Sequence, residues 1–300
     1  MSEIALGTWG LASGSYGPVP PGRLAETIER GLEVGVTTID MAPVWGSGES
    51  ERVVGRVVGS RRDRMQYITR GGVRDVRGEL VRRFAAEDLV SDCEESLERL
   101  DTDRIDVWLL HNPPEETLRQ DDWREAAQRL KESGKIRAWG VTVGSRDQAR
   151  MALAARTQVL CLVHNMLASA DLEDLDGEIW MSACGVLARS PLAYGLLANK
   201  WKDPVAFHAH DHRRARWSGQ ALRRRIEQVG MLEFLTHGGT RDLATAAIRY
   251  VLSNKVVSSV LVGARSPEQI AHAAACSDGP PYLPDGDLAR IPQVLASSGA

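Results

Sequence analysis

Three ionisable residues, Asp40, Arg70 and His111, lie at the ends of short apolar runs and have the types needed for joint chemistry. The runs are TTIDMA, MQYITRG and IDVWLLHN. A carboxylate, a guanidinium and an imidazole that meet can hold a substrate oxygen and move a proton. The alternative is structural, with Asp40 and Arg70 as a buried ion pair between two strands and His111 as a histidine satisfied within the fold. We interpret the three residues as a candidate catalytic group.

The surrounding elements decide whether these residues can meet. Short apolar runs alternate with amphipathic segments in which apolar residues return after three and four positions, which is typical of repeated βα units. Eight strands are predicted, at residues 4–10, 37–42, 65–71, 105–112, 136–143, 159–167, 185–192 and 257–264. Eight such units predict the α/β class and a (β/α)8 TIM barrel, in which the carboxyl ends of all strands meet at one mouth.

The organisation and composition fit one enzyme domain. We expect residues 1–300 to form a single (β/α)8-barrel domain, with long loops at 71–84 and 199–219 and a C-terminal tail at 277–300. The net charge of −3, from 37 basic and 40 acidic residues, argues against nucleic acid or membrane as a partner. Four widely spaced cysteines predict reduced thiols and a cytoplasmic protein. We expect its partner to be a small-molecule substrate. The sequence carries no signal of the oligomeric state.

Six ordered motifs resemble the aldo-keto reductase superfamily over nearly the whole chain. They are GTWGL, TIDMAPVWGSGESERVVG, LLHNPP, SGKIRAWGVTVGS, SPLAYGLLANKW and VLVGARSPEQI. The resemblance implies a barrel that binds NADP(H) across its mouth and reduces carbonyl groups. It also implies a catalytic set of an aspartate, a tyrosine, a lysine and a histidine.

The resemblance places that set on Asp40, Trp45, Arg70 and His111, so that the tyrosine and the lysine are replaced. An indole N–H donates a hydrogen bond but cannot act as an acid near neutral pH, and a guanidinium is a planar, permanently charged group. We therefore expect a remodelled active site.

Three functions remain open. The first is an NADP(H)-dependent oxidoreductase in which His111 supplies or relays the proton, while Asp40 and Arg70 orient and polarise the acceptor. The second is a non-redox dehydratase, isomerase or cyclase, with His111 as acid or base and Arg70 stabilising an oxyanion. The third is a regulatory or scaffold protein with a relic pocket, against which the retained Asp40, Arg70 and His111 argue.

The resemblance also assigns a cofactor site. It places the pyrophosphate loop on Ser190, Leu192 and Gly195, and the 2′-phosphate and ribose contacts on Arg265, Ser266 and Gln269 beside Gly263. Of the three polar positions expected at the nicotinamide carboxamide, Thr142 keeps a hydroxyl, whereas the others are Val143 and Cys161. Arg189 stands where an aromatic residue often stacks on the ring. The alternative for these segments is an ordinary strand-to-helix turn and an ordinary helix start with Ser266 as cap.

One feature lies outside the resemblance. His208, His210 and His212 alternate, so that an extended backbone would direct all three to one side, where they could ligate zinc. The alternative is a polar, solvated lid segment, which we favour because the sequence identifies no supporting carboxylate. No metal is therefore assigned.

Overall fold

A computed structural model describes residues 1–12, 14–198, 200–201, 206–217 and 219–297. Its strands are β1 (Ile4–Gly7), β2 (Thr38–Asp40), β3 (Gln66–Gly71), β4 (Val73–Val76), β5 (Glu79–Arg82), β6 (Ile105–Leu110), β7 (Ile136–Thr142), β8 (Val159–Val163), β9 (Gly185–Arg189) and β10 (Val257–Gly263). All of them except β4 and β5 pair in parallel and close into a barrel, in the order β1, β10, β9, β8, β7, β6, β3, β2. The predicted (β/α)8 barrel is confirmed.

The strand register brings the candidate catalytic residues to one side of the barrel. Asp40 is level with Gly7 of β1 and with Ile68 of β3. Arg70 is level with Leu109 of β6, one residue before that strand ends. Because β2, β3 and β6 are consecutive neighbours, their carboxyl ends form one continuous section of the mouth. The pairing of β1 with β10 also joins the first and the last strand of the chain, which supports the proposal of one domain over residues 1–300.

Helices surround the barrel. They are α1 (Trp9–Ala12), α2 (Arg23–Glu33), α3 (Glu49–Val58), α4 (Ala86–Leu100), α5 (Glu115–Arg119), α6 (Asp122–Glu132), α7 (Arg146–Ala154), α8 (Ala170–Glu173), α9 (Asp176–Met181), α10 (Arg213–Arg216), α11 (Gly219–Gly230), α12 (Leu243–Leu252), α13 (Pro267–Ala274) and α14 (Asp285–Ser297). Three 3-10 segments are Gly59–Arg64, Ala193–Ala198 and Met231–Leu235. Within the described residues, no helix combines the length and apolar character needed to span a membrane.

Apolar residues fill both sides of the barrel wall. The interior contains a cluster of small and branched side chains: Ala5, Ile68, Val107, Leu109, Cys161, Leu187 and Leu261. A larger apolar layer lies between the strands and the helices and includes the fully buried Trp108 and Trp123. All four cysteines are buried and free, as expected for reduced thiols. The filled interior leaves the mouth as the place for chemistry.

All eight barrel strands are shorter than predicted, and the first and the sixth show the reason. The first ends at Gly7 rather than at residue 10, because the carbonyl of Thr8 already accepts hydrogen bonds from the backbone N–H groups of Leu11 and Ala12. The sixth ends at Val163 rather than at residue 167, because Asn165 and Ala168 close a turn. In both cases a local turn uses the backbone groups that a longer strand would need.

The loop predicted at 71–84 contains an antiparallel hairpin of β4 and β5. Its two central turn residues, Arg77 and Gly78, have φ values of 58° and 89°, as the tight turns of two-residue hairpins require. The side chain of Asp75 accepts a hydrogen bond from the Gly78 N–H at 2.8 Å. Asp92 of α4 anchors the base by accepting from the Gly72 N–H at 2.6 Å and by pairing with Arg74. The hairpin therefore stands in a fixed position above β3.

The predicted loop at 199–219 lies against the loop that follows β1. Tyr16 and Asp211 form an antiparallel bridge, and the His212 N–H donates to the Ser15 carbonyl at 2.8 Å. Residues 199, 202–205 and 218 of this loop, and residues 298–300 of the predicted tail, lie outside the described residues. Most of the remaining tail is the helix α14, which buries Ile291.

Candidate active site

A buried ion pair forms the floor of the mouth. Arg70 Nη1 lies 2.6 Å from Asp40 Oδ1 and donates at 2.5 Å to the Met41 carbonyl. Arg70 and Asp40 are only 3% and 4% exposed. Burial lowers the pKa of Arg70, but the Asp40 carboxylate more than restores it, so that the pKa ends above its usual value. Arg70 therefore carries a permanent positive charge whose orientation Asp40 fixes.

Trp45 stands beside this pair in the turn that follows β2. The guanidinium carbon of Arg70 is 4.9 Å from the centre of the indole ring, within the range of a cation–π contact. The turn packs closely on α1, since a Cβ atom added to Gly46 would lie 2.6 Å from the Ala12 carbonyl oxygen. The half-buried indole is thus held as an apolar wall beside the guanidinium.

His111 follows β6 directly, and its backbone N–H donates to the Gly71 carbonyl at 3.0 Å. The side chain is partly exposed, but its Nδ1 atom is buried and has no partner among the described residues. Burial, together with the charges of Arg70, Arg189 and Arg82, lowers the pKa of His111 from 6.5 to about 3. The imidazole is therefore neutral at physiological pH. A neutral imidazole carries one N–H donor and one acceptor nitrogen, so the role of His111 in supplying or relaying a proton stays a prediction.

Thr142 and Arg189 complete the mouth: Thr142 ends β7, which pairs with β6, and Arg189 ends β9, across the barrel from β3. The Thr142 Oγ1 atom is buried and has no partner among the described residues. Arg189 donates from Nη2 to the Val143 carbonyl at 3.4 Å, so its side chain crosses above β8 toward β7. Beneath it, Cys161 of β8 lies with its sulfur 3.8 Å from Nη2 of Arg70. Two guanidinium groups therefore approach the centre of the mouth from opposite walls.

The loop predicted to hold the pyrophosphate turns sharply after β9. Positive φ angles occur at Ser190, Ala193, Tyr194 and Gly195. The Leu192 carbonyl accepts from the Gly195 N–H at 2.8 Å, which closes the turn. Asn165, which sequence reasoning missed, donates from Nδ2 to the Ser190 carbonyl at 3.0 Å. Asn165 was missed because it lay inside the predicted sixth strand at 159–167, whereas that strand ends at Val163.

The predicted adenosine end lies at the start of α13. Ser266 caps the helix by accepting from the Gln269 N–H at 3.3 Å, and the Gln269 side chain accepts from the Arg265 N–H at 2.7 Å. These contacts confirm the ordinary helix start, while the open space above Gly263 leaves room for a ligand. Arg265 donates from Nη2 to the Pro18 carbonyl at 3.3 Å, and its buried Nε atom has no partner among the described residues. An anionic group would supply that partner.

The three histidines of the alternating run do not come together. His208 and His210 lie with ring centres 5.5 Å apart, because the chain turns between them instead of extending. His212 points into an aromatic cluster, where its ring centre is 4.9 Å from Trp9 and 4.8 Å from Tyr16. In the part of the chain that the structure describes, no three metal-ligating side chains are grouped to hold an ion. The zinc hypothesis loses its geometric basis.

Comparisons with known proteins agree with this architecture. The model of the Aldo/keto reductase family matches residues 3–295. Aldo-keto reductase YhdN of Bacillus subtilis is 29% identical over 281 residues, which cover 90% of this chain and 83% of that protein. L-galactose dehydrogenase of Arabidopsis thaliana is 27% identical over 283 residues, or 92% and 84% of the two chains. The structure of a glycerol dehydrogenase from Gluconobacter oxydans superimposes with a TM-score of 0.86 at 26% identity, covering 99% of this chain and 92% of that one.

Proposed function

The chain belongs to the aldo/keto reductase family, and from this premise we propose that it is an NADP(H)-dependent oxidoreductase that reduces a carbonyl group of a small molecule with a remodelled active site. Members of this family use NAD(P)H. The observation that carries the proposal is the buried Asp40–Arg70 pair, which lies beside Trp45 and His111 at the barrel mouth. We retain the cytoplasmic location as a prediction.

The proposed cofactor site contains hydrogen-bond donors that have no described partner in the protein. Thr142 Oγ1 and Arg265 Nε are buried donors without described partners, and they suit an amide oxygen and a phosphate respectively. The turn at Ser190, Leu192 and Gly195 would hold the pyrophosphate, with Gly263, Ser266 and Gln269 at the adenosine end. Arg189 would flank the nicotinamide. When bound, the cofactor supplies the hydride.

Within this site, Arg70 would stabilise negative charge on the substrate oxygen. Its Nη1 atom is committed to Asp40 and Met41, whereas among the described residues Nη2 has one hydrogen-bond contact, to the sulfur of Cys161 at 3.8 Å. An N–H group of Nη2 is thus free to donate to a developing alkoxide, in a dry site where such a donor acts strongly. Asp40 fixes the guanidinium, and Trp45 forms the wall.

The proton would pass through His111. Because its pKa of about 3 keeps the ring neutral, one N–H would donate its proton to the substrate oxygen, while the other ring nitrogen takes up a proton from bulk solvent. Trp45 cannot take this role, because an indole is not an acid near neutral pH. The non-redox alternative has less support, since the relatives named above are a reductase and dehydrogenases.

NADPH binding tests this proposal directly. We expect the purified chain to bind NADPH at micromolar concentration, measured by fluorescence or calorimetry, and to oxidise it when an aldehyde is added. Arg265→Gln should weaken NADPH binding about 10- to 100-fold and NADH binding much less, because the guanidinium would meet the 2′-phosphate. Arg129→Gln is the control, since that surface side chain of α6 pairs with Glu87 of α4, away from the predicted cofactor contacts. Absence of binding at millimolar NADPH would remove the redox proposal.

A further inference from the structure

We infer that the substrate carries an anionic group, a carboxylate or a phosphate, which Arg189 and Arg82 hold beside His111. This inference rests on the proposed function and extends it to the substrate class. Arg82 is a residue that sequence reasoning did not single out.

The charges around the mouth do not balance. Asp40 is the one carboxylate among the groups that act on His111, Arg70 and Cys161, and it is already paired with Arg70. Cys161 is a neutral thiol, since burial raises its pKa. Arg189 and Arg82 therefore leave an excess positive charge at the mouth, which an anionic ligand would neutralise.

Arg189 has donors that the protein does not use. The Nε atom of Arg189 is buried without a partner among the described residues. Among those residues, the one hydrogen bond of its side chain is the long contact of 3.4 Å from Nη2 to the Val143 carbonyl. It forms no ion pair with a described acidic residue. A buried donor that stays unpaired is costly, and a guanidinium fork matches a carboxylate or phosphate with two parallel hydrogen bonds.

Arg82 approaches the same place from above. It lies on β5 opposite Val73, two residues beyond Gly71, whose carbonyl receives the His111 N–H. Residues directly opposite in an antiparallel pair share a face, so Arg82 lies on the same face of the hairpin as the buried Val73, and not on the face from which Arg74 pairs with Asp92 of α4. Its positive charge also contributes to the low pKa of His111. Its neighbour Arg83 turns away and faces Asp88 at 3.8 Å. The exposed Arg82 has no described acidic partner and is free to meet a substrate.

The bound cofactor would not use these donors for its phosphates. The phosphate contacts are assigned to the turn at 190–195 and to Arg265, whereas Arg82 stands on the opposite side of the mouth, on the hairpin after β3. A substrate that enters between this hairpin and Arg189 would place its carbonyl near Arg70 and its anionic group between the two free guanidinium groups. The neutral His111 adds a hydrogen-bond donor without adding charge.

The test compares aldehydes with and without an anionic group. The first pair is 4-carboxybenzaldehyde and its methyl ester, and the second is glyceraldehyde 3-phosphate and glyceraldehyde, so that the two arms separate a carboxylate from a phosphate. The measured quantity is the ratio of kcat/KM for the anionic and the neutral member. Effects on cofactor binding cancel in this ratio, because both substrates meet the same NADPH complex.

We expect the wild type to favour the anionic member about 10-fold or more in at least one pair. Arg189→Gln and Arg82→Gln should each lower that ratio about 10- to 100-fold, mainly through KM, since each removes a charge-assisted contact. Arg189→Lys should retain part of the preference. Arg83→Gln is the matched control and should leave the ratio unchanged. A wild-type ratio near 1 in both pairs, or equal loss in all the glutamine variants, would overturn the inference.

Failure of the proposed function is distinguishable from failure of this inference. Reduction of the neutral aldehydes without an anionic preference would refute the inference alone. If no aldehyde is reduced, the inference is tested by binding alone: calorimetry compares the affinities for benzoate and benzamide, in the presence and absence of NADP+. Binding of benzoate but not benzamide, with loss in Arg189→Gln, would support the inference despite the absence of redox activity, whereas no preference for benzoate would overturn it.

Discussion

Replacing Asp40 by Asn tests how strongly the barrel depends on its buried ion pair. The variant keeps the size of the side chain and an acceptor oxygen, but it leaves the charge of Arg70 without a counter-charge. Both residues are less than 5% exposed, and the bond between them is 2.6 Å long. Loss of one partner of such a pair costs about 3–5 kcal/mol. At about 2 °C per kcal/mol for a chain of this size, the melting temperature should fall by roughly 6–10 °C.

The assay is thermal unfolding followed by circular dichroism, with chemical unfolding as a check. The double variant Asp40→Asn with Arg70→Met should recover much of the loss, because it removes the unpaired charge as well. Asp63→Asn removes the partner of Arg104 at the surface and should change nothing measurable. A shift in the Asp40→Asn variant as small as that of Asp63→Asn, or additive losses in the double variant, would refute the reasoning.

Three further predictions concern the mouth. His111→Asn should make the stability of the fold less sensitive to acid. In the wild type the folded pKa of about 3 lies below the unfolded value of 6.5, so protonation of the unfolded state as the pH falls lowers the free energy of unfolding by up to about 3 kcal/mol at pH 4. Chemical unfolding measured against pH would show this loss. Asn165→Ala should weaken NADPH binding about 10-fold in calorimetry, because it frees the Ser190 carbonyl from its 3.0 Å bond. Trp45→Tyr should raise kcat about 10-fold or more and add an alkaline limb to the pH profile, since a phenol beside Arg70 is an acid.

Each of these variants has a matched control. His164→Asn should flatten the acid response less than His111→Asn, because the pKa of His164 falls only to about 4. Asn165→Asp keeps the acceptor that binds the Leu167 N–H but replaces the donor with a negative charge beside the turn, so its NADPH affinity should be at least as low as that of the alanine variant. Trp45→Phe lacks the hydroxyl and should show no gain in kcat. Equal gains in Trp45→Phe and Trp45→Tyr would contradict the acid role of the phenol.

The sequence was sufficient to predict the meeting of Asp40, Arg70 and His111. Asp40, Arg70 and His111 each lie at the end of a strand or within one residue of it, and a closed parallel barrel brings the ends of neighbouring strands together. Burial then pairs the two opposite charges, Asp40 and Arg70. These are consequences of periodicity and topology, which a single sequence carries.

Other properties of the site depend on long-range contacts that no local pattern encodes. The hairpin of β4 and β5 was hidden because its turn places an arginine, Arg77, at a position with positive φ. The low pKa of His111 arises first from burial and then from the charges of Arg70, Arg189 and Arg82, of which Arg189 is more than 70 residues away in sequence. His212 does not lie in a row with His208 and His210, because its ring packs against Trp9 and Tyr16.

The most direct measurement is NADPH oxidation with a reducible aldehyde by the wild type and by His111→Ala, with the folded state of both checked by circular dichroism. The proposed site predicts that the wild type forms one alcohol for each NADPH consumed, and that kcat falls about 100-fold or more in the variant. Undiminished turnover in a folded His111→Ala variant would contradict the role of the imidazole at the barrel mouth.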